Sequence, residues 1–498
     1  MARRPIILIH GYSSSGEAFG AWREKLQERG YDERDLHVLS YKSLTNEVTI
    51  DDLAEGFDRA LRVQAGLDSG EDFDAVVHST GMLVLRAWLT KFSARRERLR
   101  HLVALAPATF GSPLAHKGRG WLGGVFAGNR EAGPDFMEAG DLILDGLELG
   151  SRYTWDLAHD DLVGADPLYG ETRTTPYVFT FCGTEKYRGP ARLVSEDGTD
   201  GTVRLAGCPL NTRKIVLDLT LPADSGPDVR VGTAAWSNAD IPLVPIAGLD
   251  HGTIMSRPSG ELVDLVTEAL EVNSRPSFAA WLERARAHAK AVFGATPDLD
   301  RWQQLVFRVV DERGQPVPDY FIEFLVQTSG GEWQSLTDVH GAFKMHVHAY
   351  AADKSLRCFH VNLDSADVSG AKLGVRLIAS SGTELLAYQG YVDDPDVTEG
   401  GPWNGVIDLS SLNKRVKFFF AFTTTLVEIR LNREPMPLAG FNELVYFVGG
   451  PERRALQKAQ EIAGELRRRE RDEARLSELT EQFEREVEAA RGPGSARR

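Results

Sequence analysis

The apolar run 73–77 stops abruptly at His78-Ser79-Thr80-Gly81, and a helical pattern starts at once through Leu83, Leu85, Trp88 and Leu89. Strand, sharp turn and helix with a serine at the turn leaves few choices of fold. The strand has to lie inside a sheet covered on both faces, and the turn has to lift one side chain above the carboxyl edge of that sheet. The same turn aims the backbone N–H of Thr80 into the space where an oxyanion would form.

The surrounding sequence keeps that rhythm. Strands are expected over 5–10, 36–40, 73–78 and 101–106, and helices over 17–29, 48–65 and 82–92. Continuous apolar strands between amphipathic helices imply a parallel α/β sheet. Residues 111–175 break the pattern with a Gly-rich, apolar segment where a lid would be inserted. Strands return over 177–183, 215–221 and 241–246, and helices follow over 261–272 and 278–293. A linker begins at Ala295.

From Gln304 the apolar period becomes two. Seven short strands are expected over 305–310, 320–327, 343–348, 373–379, 385–392, 416–421 and 425–431, which argues for an antiparallel β-sandwich. A highly charged helix follows over 452–490. Its apolar stripe is interrupted near 469–473, and it is either a solvated strut, supported by its own Glu/Arg pairs, or a coiled coil for a homo-oligomer or protein partner. The expected division is an α/β domain over 1–295 with a lid at about 111–175, a sandwich over 301–448, and the helix. A chain of 498 residues is long enough for two or three such cores.

Formal charge of −15 excludes a basic surface that wraps nucleic acid, and does not steer the whole chain to anionic lipid. Cys182, Cys208 and Cys358 are odd in number and widely spaced, which suggests neither disulfides nor zinc. The run Ile6 to Ile9 is too short for a signal h-region, and no apolar stretch reaches the ~18 residues of a membrane span. The expected location is the cytoplasm, with signal-less export left open.

A serine hydroxyl needs a base, and the base needs an orienting carboxylate. The base candidate is His251, in Asp250-His251-Gly252 after the last expected sheet strand. The acid candidate is Asp200, in Gly198-Thr199-Asp200-Gly201-Thr202-Val203. Glu185, nearer the end of strand 177–183, is its chief competitor, with Asp197 and Asp250 behind it. His10 and His78 flank the turn. His101, His116 and His159 precede the acid in sequence. The second oxyanion donor is expected from the N–H of Tyr12, after Ile9-His10-Gly11.

His10-Gly11-Tyr12, His78-Ser79-Thr80-Gly81, Asp200-Gly201-Thr202-Val203 and His251-Gly252 together resemble the lipase and esterase branch of the α/β-hydrolases. The loop Pro107-Ala108-Thr109-Phe110-Gly111-Ser112-Pro113 is similar to one in triacylglycerol lipases, and the Asp-Gly-Thr-Val element to one in lecithin:cholesterol acyltransferase-like lipases. The resemblance covers about 5–295. It implies Ser79 as nucleophile, Asp200 as acid, His251 as base, and the Tyr12 and Thr80 amides as oxyanion donors, with no cofactor or metal. It also implies a lid, for which Trp121, Leu122, Val125 and Phe126 are the acyl-contact candidates. The implied substrate is a lipid or other hydrophobic ester, met at a transient membrane surface. Acyl transfer with the same residues, or a non-catalytic binding scaffold, are the rival functions.

One departure stands out. The family's turn usually begins with glycine where this chain has Val77, so the strand–helix crossing is expected to be held open or tilted. Residues 310–317 and 337–343 resemble carboxypeptidase-regulatory-like sandwiches, which speaks to fold only. His346 and His348, with His340 nearby, read either as exposed strand histidines or as ligands of a metal site.

Overall fold

The computed structural model describes residues 3–11, 19–41, 47–67, 70–92, 96–115, 141–164, 168–170, 174–187, 195–222, 225, 230–234, 241, 243–296, 300–339, 343–365, 372–383, 385–391, 403–409, 418–435, 457–458, 461–462, 482 and 485. Tyr12, Trp121, Leu122, Val125, Phe126, His116, His340 and nearly all of the segment 452–490, expected as a helix, lie outside them.

The first sheet is parallel throughout, in the order β2-β1-β3-β4-β5-β8. Its strands are β1 (Ile6–Ile9), β2 (Leu36–Leu39), β3 (Phe73–His78), β4 (Leu99–Leu105), β5 (Tyr177–Gly183) and β8 (Leu243–Ile246). β1, β3, β5 and β8 are buried at every position, which is why their sequences read as unbroken apolar runs. Helices α1 (Gly20–Glu28), α2 (Ile50–Val63) and α3 (Gly81–Lys91) follow the first strands. A capping box between Thr49 and Asp52 starts α2. α3 is buried from Gly81 to Leu89, with α2 and the helix Arg152–Asp161 over it. Arg86 on α3 is fully buried and grips Asp161 of that helix through both carboxylate oxygens, at 2.7 and 2.8 Å. Its third donor reaches the Thr109 carbonyl at 2.6 Å.

The C-terminal half is a sandwich of two sheets. The smaller is antiparallel, in the order β11-β10-β14-β16, from β10 (Asp319–Gln327), β11 (Trp333–Ser335), β14 (Leu373–Ser380) and β16 (Trp403–Asp408). The larger runs β12-β13-β9-β17-β6-β7, with β15 (Leu386–Gln389) pairing the far end of β17. Its members are β9 (Trp302–Asp311), β12 (Met345–Ala349), β13 (Leu356–Asn362) and β17 (Thr424–Pro435), joined by β6 (Thr212–Asp218) and β7 (Val231–Ala234).

Two expectations need correcting. The larger sheet is mixed rather than antiparallel, because β17 runs parallel to both β9 and β6. The expected strand 215–221 belongs to this sheet and not to the first, so a boundary at 295 does not separate the two cores. Segment 418–421 forms no strand, while β11, β13 and β16 were not foreseen.

Alternation assigns the faces of the larger sheet. Leu305, Phe307, Phe359, Val361, Val427 and Ile429 point into the core shared with the smaller sheet. Val306, Leu356, Cys358 and Leu426 point the other way and belong to the hydrophobic core of the first sheet. The larger sheet is therefore a middle layer with an apolar face on each side. No described helix is long and apolar enough to cross a membrane.

Candidate active site

Ser79 follows the last residue of β3 and has φ +54°, left-handed backbone that a residue with a Cβ adopts only at a cost of about 1–3 kcal/mol. The turn is pinned. Ser79 N–H donates to the Leu105 carbonyl at 3.2 Å, and its own carbonyl accepts from Ala108 and Met82. Thr80 sits at the N-terminus of α3, so its N–H lies at the positive end of that helix.

The close approaches that such a turn needs are made by other glycines than the one replaced by Val77. A Cβ on Gly81 would stand 2.9 Å from the Ile9 carbonyl oxygen. A Cβ on Gly11 would stand 2.7 Å from the Ser79 Cβ and 3.2 Å from its Oγ. Val77 is an interior strand residue, fully buried, in register with Ile9 and Ala104.

His251 and Asp200 are brought together. His251 Nδ1 lies 2.9 Å from Asp200 Oδ2, and both side chains are fully buried. The carboxylate can only accept, so Nδ1–H donates, and in the neutral tautomer this leaves the lone pair on Nε2. Asp200 Oδ1 accepts the N–H groups of Thr202 at 3.0 Å and Val203 at 2.8 Å. These bonds explain the Asp-Gly-Thr-Val sequence. The aspartate side chain closes its own turn, and Gly201, at φ +102°, has room for no Cβ against the Tyr187 ring.

His78 joins this pair to the serine turn. Its ring lies 4.7 Å from that of His251, and its Nε2 is 3.0 Å from the His251 carbonyl, to which it donates. Burial, helped by the neighbouring His251, holds His78 well below the usual histidine range and so neutral. His10 also packs beneath the site, stacked on Tyr41, with its pKa lowered by burial.

The other candidate residues have these partners. Glu185 contributes its backbone N–H, which donates to the Leu249 carbonyl at 2.9 Å. Asp197 pairs with Lys186. Asp250 Oδ1 caps the N–H groups of Gly252 and Thr253. His101 bonds Asp74 and the Val272 carbonyl, and His159 the Trp155 carbonyl. His348 Nε2 is 2.7 Å from Glu148, and His346 is exposed and stacked on Trp302. Among the described residues no group of His, Cys, Asp and Glu is placed to hold a metal.

Several neighbours of Asp200 were not anticipated. Cys182 Sγ lies 3.6 Å from Asp200 Oδ2 and equally far from Cys208 Sγ; both thiols are buried and free, and burial pushes both pKa values up. Ser112 Oγ donates to the Thr202 carbonyl at 2.6 Å, and Thr109 Oγ1 to the Cys208 carbonyl at 2.5 Å. The 107–113 loop motif was visible in the sequence. Its physical task, tying the end of β4 to the loop that carries Asp200, was not.

A parallel sheet bearing a left-handed serine at a strand–helix turn, with a buried Asp–His pair against the histidine that precedes it, defines an α/β-hydrolase fold, here carrying a β-sandwich. Among solved structures the chain is similar to phospholipase PlaB from Legionella pneumophila, with 22% identity, a TM-score of 0.72, and coverage of 90% of this chain and 98% of that one. The structure of PlaB in complex with thio-NAD matches with 21% identity and a TM-score of 0.70, covering 89% and 97%. At that identity the likeness is one of fold, and it spans the sandwich as well as the hydrolase part. No protein-family model and no curated protein matches the sequence.

Proposed function

We propose that the chain is a serine carboxylester hydrolase acting on lipid esters, as a lipase or phospholipase. The observation that carries this reading is the fully buried Asp200–His251 hydrogen bond, held against His78, the residue before a serine at positive φ. Ser79 Oγ attacks the ester carbonyl while His251 Nε2 takes its proton, and Asp200 holds the ring and stabilises the imidazolium. The tetrahedral oxyanion receives the N–H of Thr80 and, in this proposal, that of Tyr12. His251 then protonates the leaving alcohol, and water repeats the sequence to release the acid.

The likeness of fold to a phospholipase favours a lipid ester. Ser79 is only 5% exposed and Asp200 and His251 not at all, which favours a site that opens for a bulky substrate. A gated enzyme that damages membranes on release or assembly fits that covering. Acyl transfer to an alcohol uses the same residues, and a competing alcohol in the assay distinguishes it. The test is a panel of phospholipids, glycerides and short esters read by mass spectrometry on wild type and Ser79→Ala. The proposal expects free acid from at least one lipid class with wild type and none with the variant. Equal turnover by both would reject it.

A further inference from the structure

The loop that carries Asp200 is clamped between two layers. On one side stand Thr109 and Ser112, described above. On the other stands the middle sheet. Gly198, at φ +69°, has no room for a Cβ: it would meet the Trp302 ring at 2.6 Å and His360 at 2.9 Å. Arg204 is buried, bonds Glu196 Oε2 across the loop at 2.9 and 3.2 Å, and reaches Cys358 Sγ on β13 at 3.3 Å. Thr424 Oγ1 on β17 donates to the Ala206 carbonyl at 3.1 Å. Within the loop, Leu205 N–H returns to the Gly198 carbonyl at 2.9 Å, so a shift at either contact moves the turn that presents Asp200. Three strands of the sandwich, β9, β13 and β17, thus touch one short loop.

We infer that the middle sheet is a working part of the active site, with Trp302 and Arg204 as positioning residues that set the Asp200 carboxylate against His251. This rests on the reading of Asp200 as the acid. It gives the sandwich a role beyond docking: the hydrolase part alone lacks one wall of its acid loop.

The test is a double-mutant cycle on the full chain, with Trp302→Ala and Arg204→Met made in wild type and in Asp200→Asn. A residue that acts through Asp200 loses its effect once the carboxylate is gone, whereas one that only supports the fold lowers both backgrounds alike. The expected result is a fall in kcat of roughly 10-fold or more in wild type and less than about 2-fold in Asp200→Asn, with Trp302→Phe restoring most of the loss. Equal losses in both backgrounds would overturn the inference. Hydrogen exchange supplies an arm that needs no activity. Trp302→Ala should speed exchange in the peptide 196–208, which holds the Thr202 and Val203 amides, and leave 73–91 protected. Unchanged exchange in 196–208 would overturn the inference even if kcat fell. If wild type proves inactive on every ester, the proposed function fails, and the exchange arm still decides whether the sheet holds the loop.

Discussion

Asp200 and His251 are joined twice: the carboxylate holds the ring Nδ1 at 2.9 Å, and the His251 backbone N–H donates to the Asp200 carbonyl at 3.0 Å. The second bond fixes the distance between the loops after β5 and β8 without involving either side chain. Changing the acid therefore alters the ring's tautomer while leaving the loops in place. Asp200→Asn is expected to lower kcat by about 10⁴-fold with little change in unfolding midpoint. A steady-state assay beside a thermal melt checks both, and a large drop in midpoint would mean that the carboxylate is mainly structural.

The strain at Ser79 makes a separate prediction. Glycine adopts φ +54° without the Cβ penalty. Both Ser79→Gly and Ser79→Ala are expected to be inactive, with Ser79→Gly the more stable by about 1 kcal/mol in urea titrations. The reverse order would show that the turn is not strained.

Gly11 is expected to be as sensitive as the serine it touches. A methyl there would lie 2.7 Å from the Ser79 Cβ and must push the nucleophile aside. A displacement near 1 Å costs on the order of 100-fold, so Gly11→Ala should lose about that in kcat while keeping its far-ultraviolet circular dichroism. Full activity would place the substrate elsewhere.

Much of this was legible in the sequence because the signals are local. Strand ends in a parallel sheet meet at one edge, so the motifs at Gly11, Ser79 and His251 point to one place. Asp200 lies well beyond the end of β5 at Gly183 and was named from the likeness of its Asp-Gly-Thr-Val element to that of lipases. The middle layer was illegible for the opposite reason. β13 carries Cys358 and His360 against the first core and Phe359 and Val361 against the second, so both faces are buried and the period-two alternation disappears. β6 lies far upstream in the chain, and nothing in its own residues says that its parallel partner is β17, more than 200 positions on.

Acid should weaken the fold through the buried histidines. Burial lowers the pKa of His10, His78 and His360 from the usual 6.5. Once the chain unfolds, these rings take up protons as pH falls through 6.5. The folded rings do not, so their contribution is complete above 6.5 and is lost as pH drops toward the lowered folded values. His360→Leu should reduce the slope of unfolding free energy against pH below 6.5 by up to about 1.4 kcal/mol per pH unit. Urea unfolding at several pH values reads this directly, and an unchanged slope would contradict it.

The central claim is that Ser79 is an activated nucleophile. The most direct measurement is labelling of the full chain with a fluorophosphonate carrying a long alkyl chain, followed by peptide mass spectrometry. One adduct is expected, on Ser79, absent from Ser79→Ala and strongly slowed in His251→Ala. Labelling of another residue, or none with wild type in lipid vesicles and detergent alike, would contradict the account.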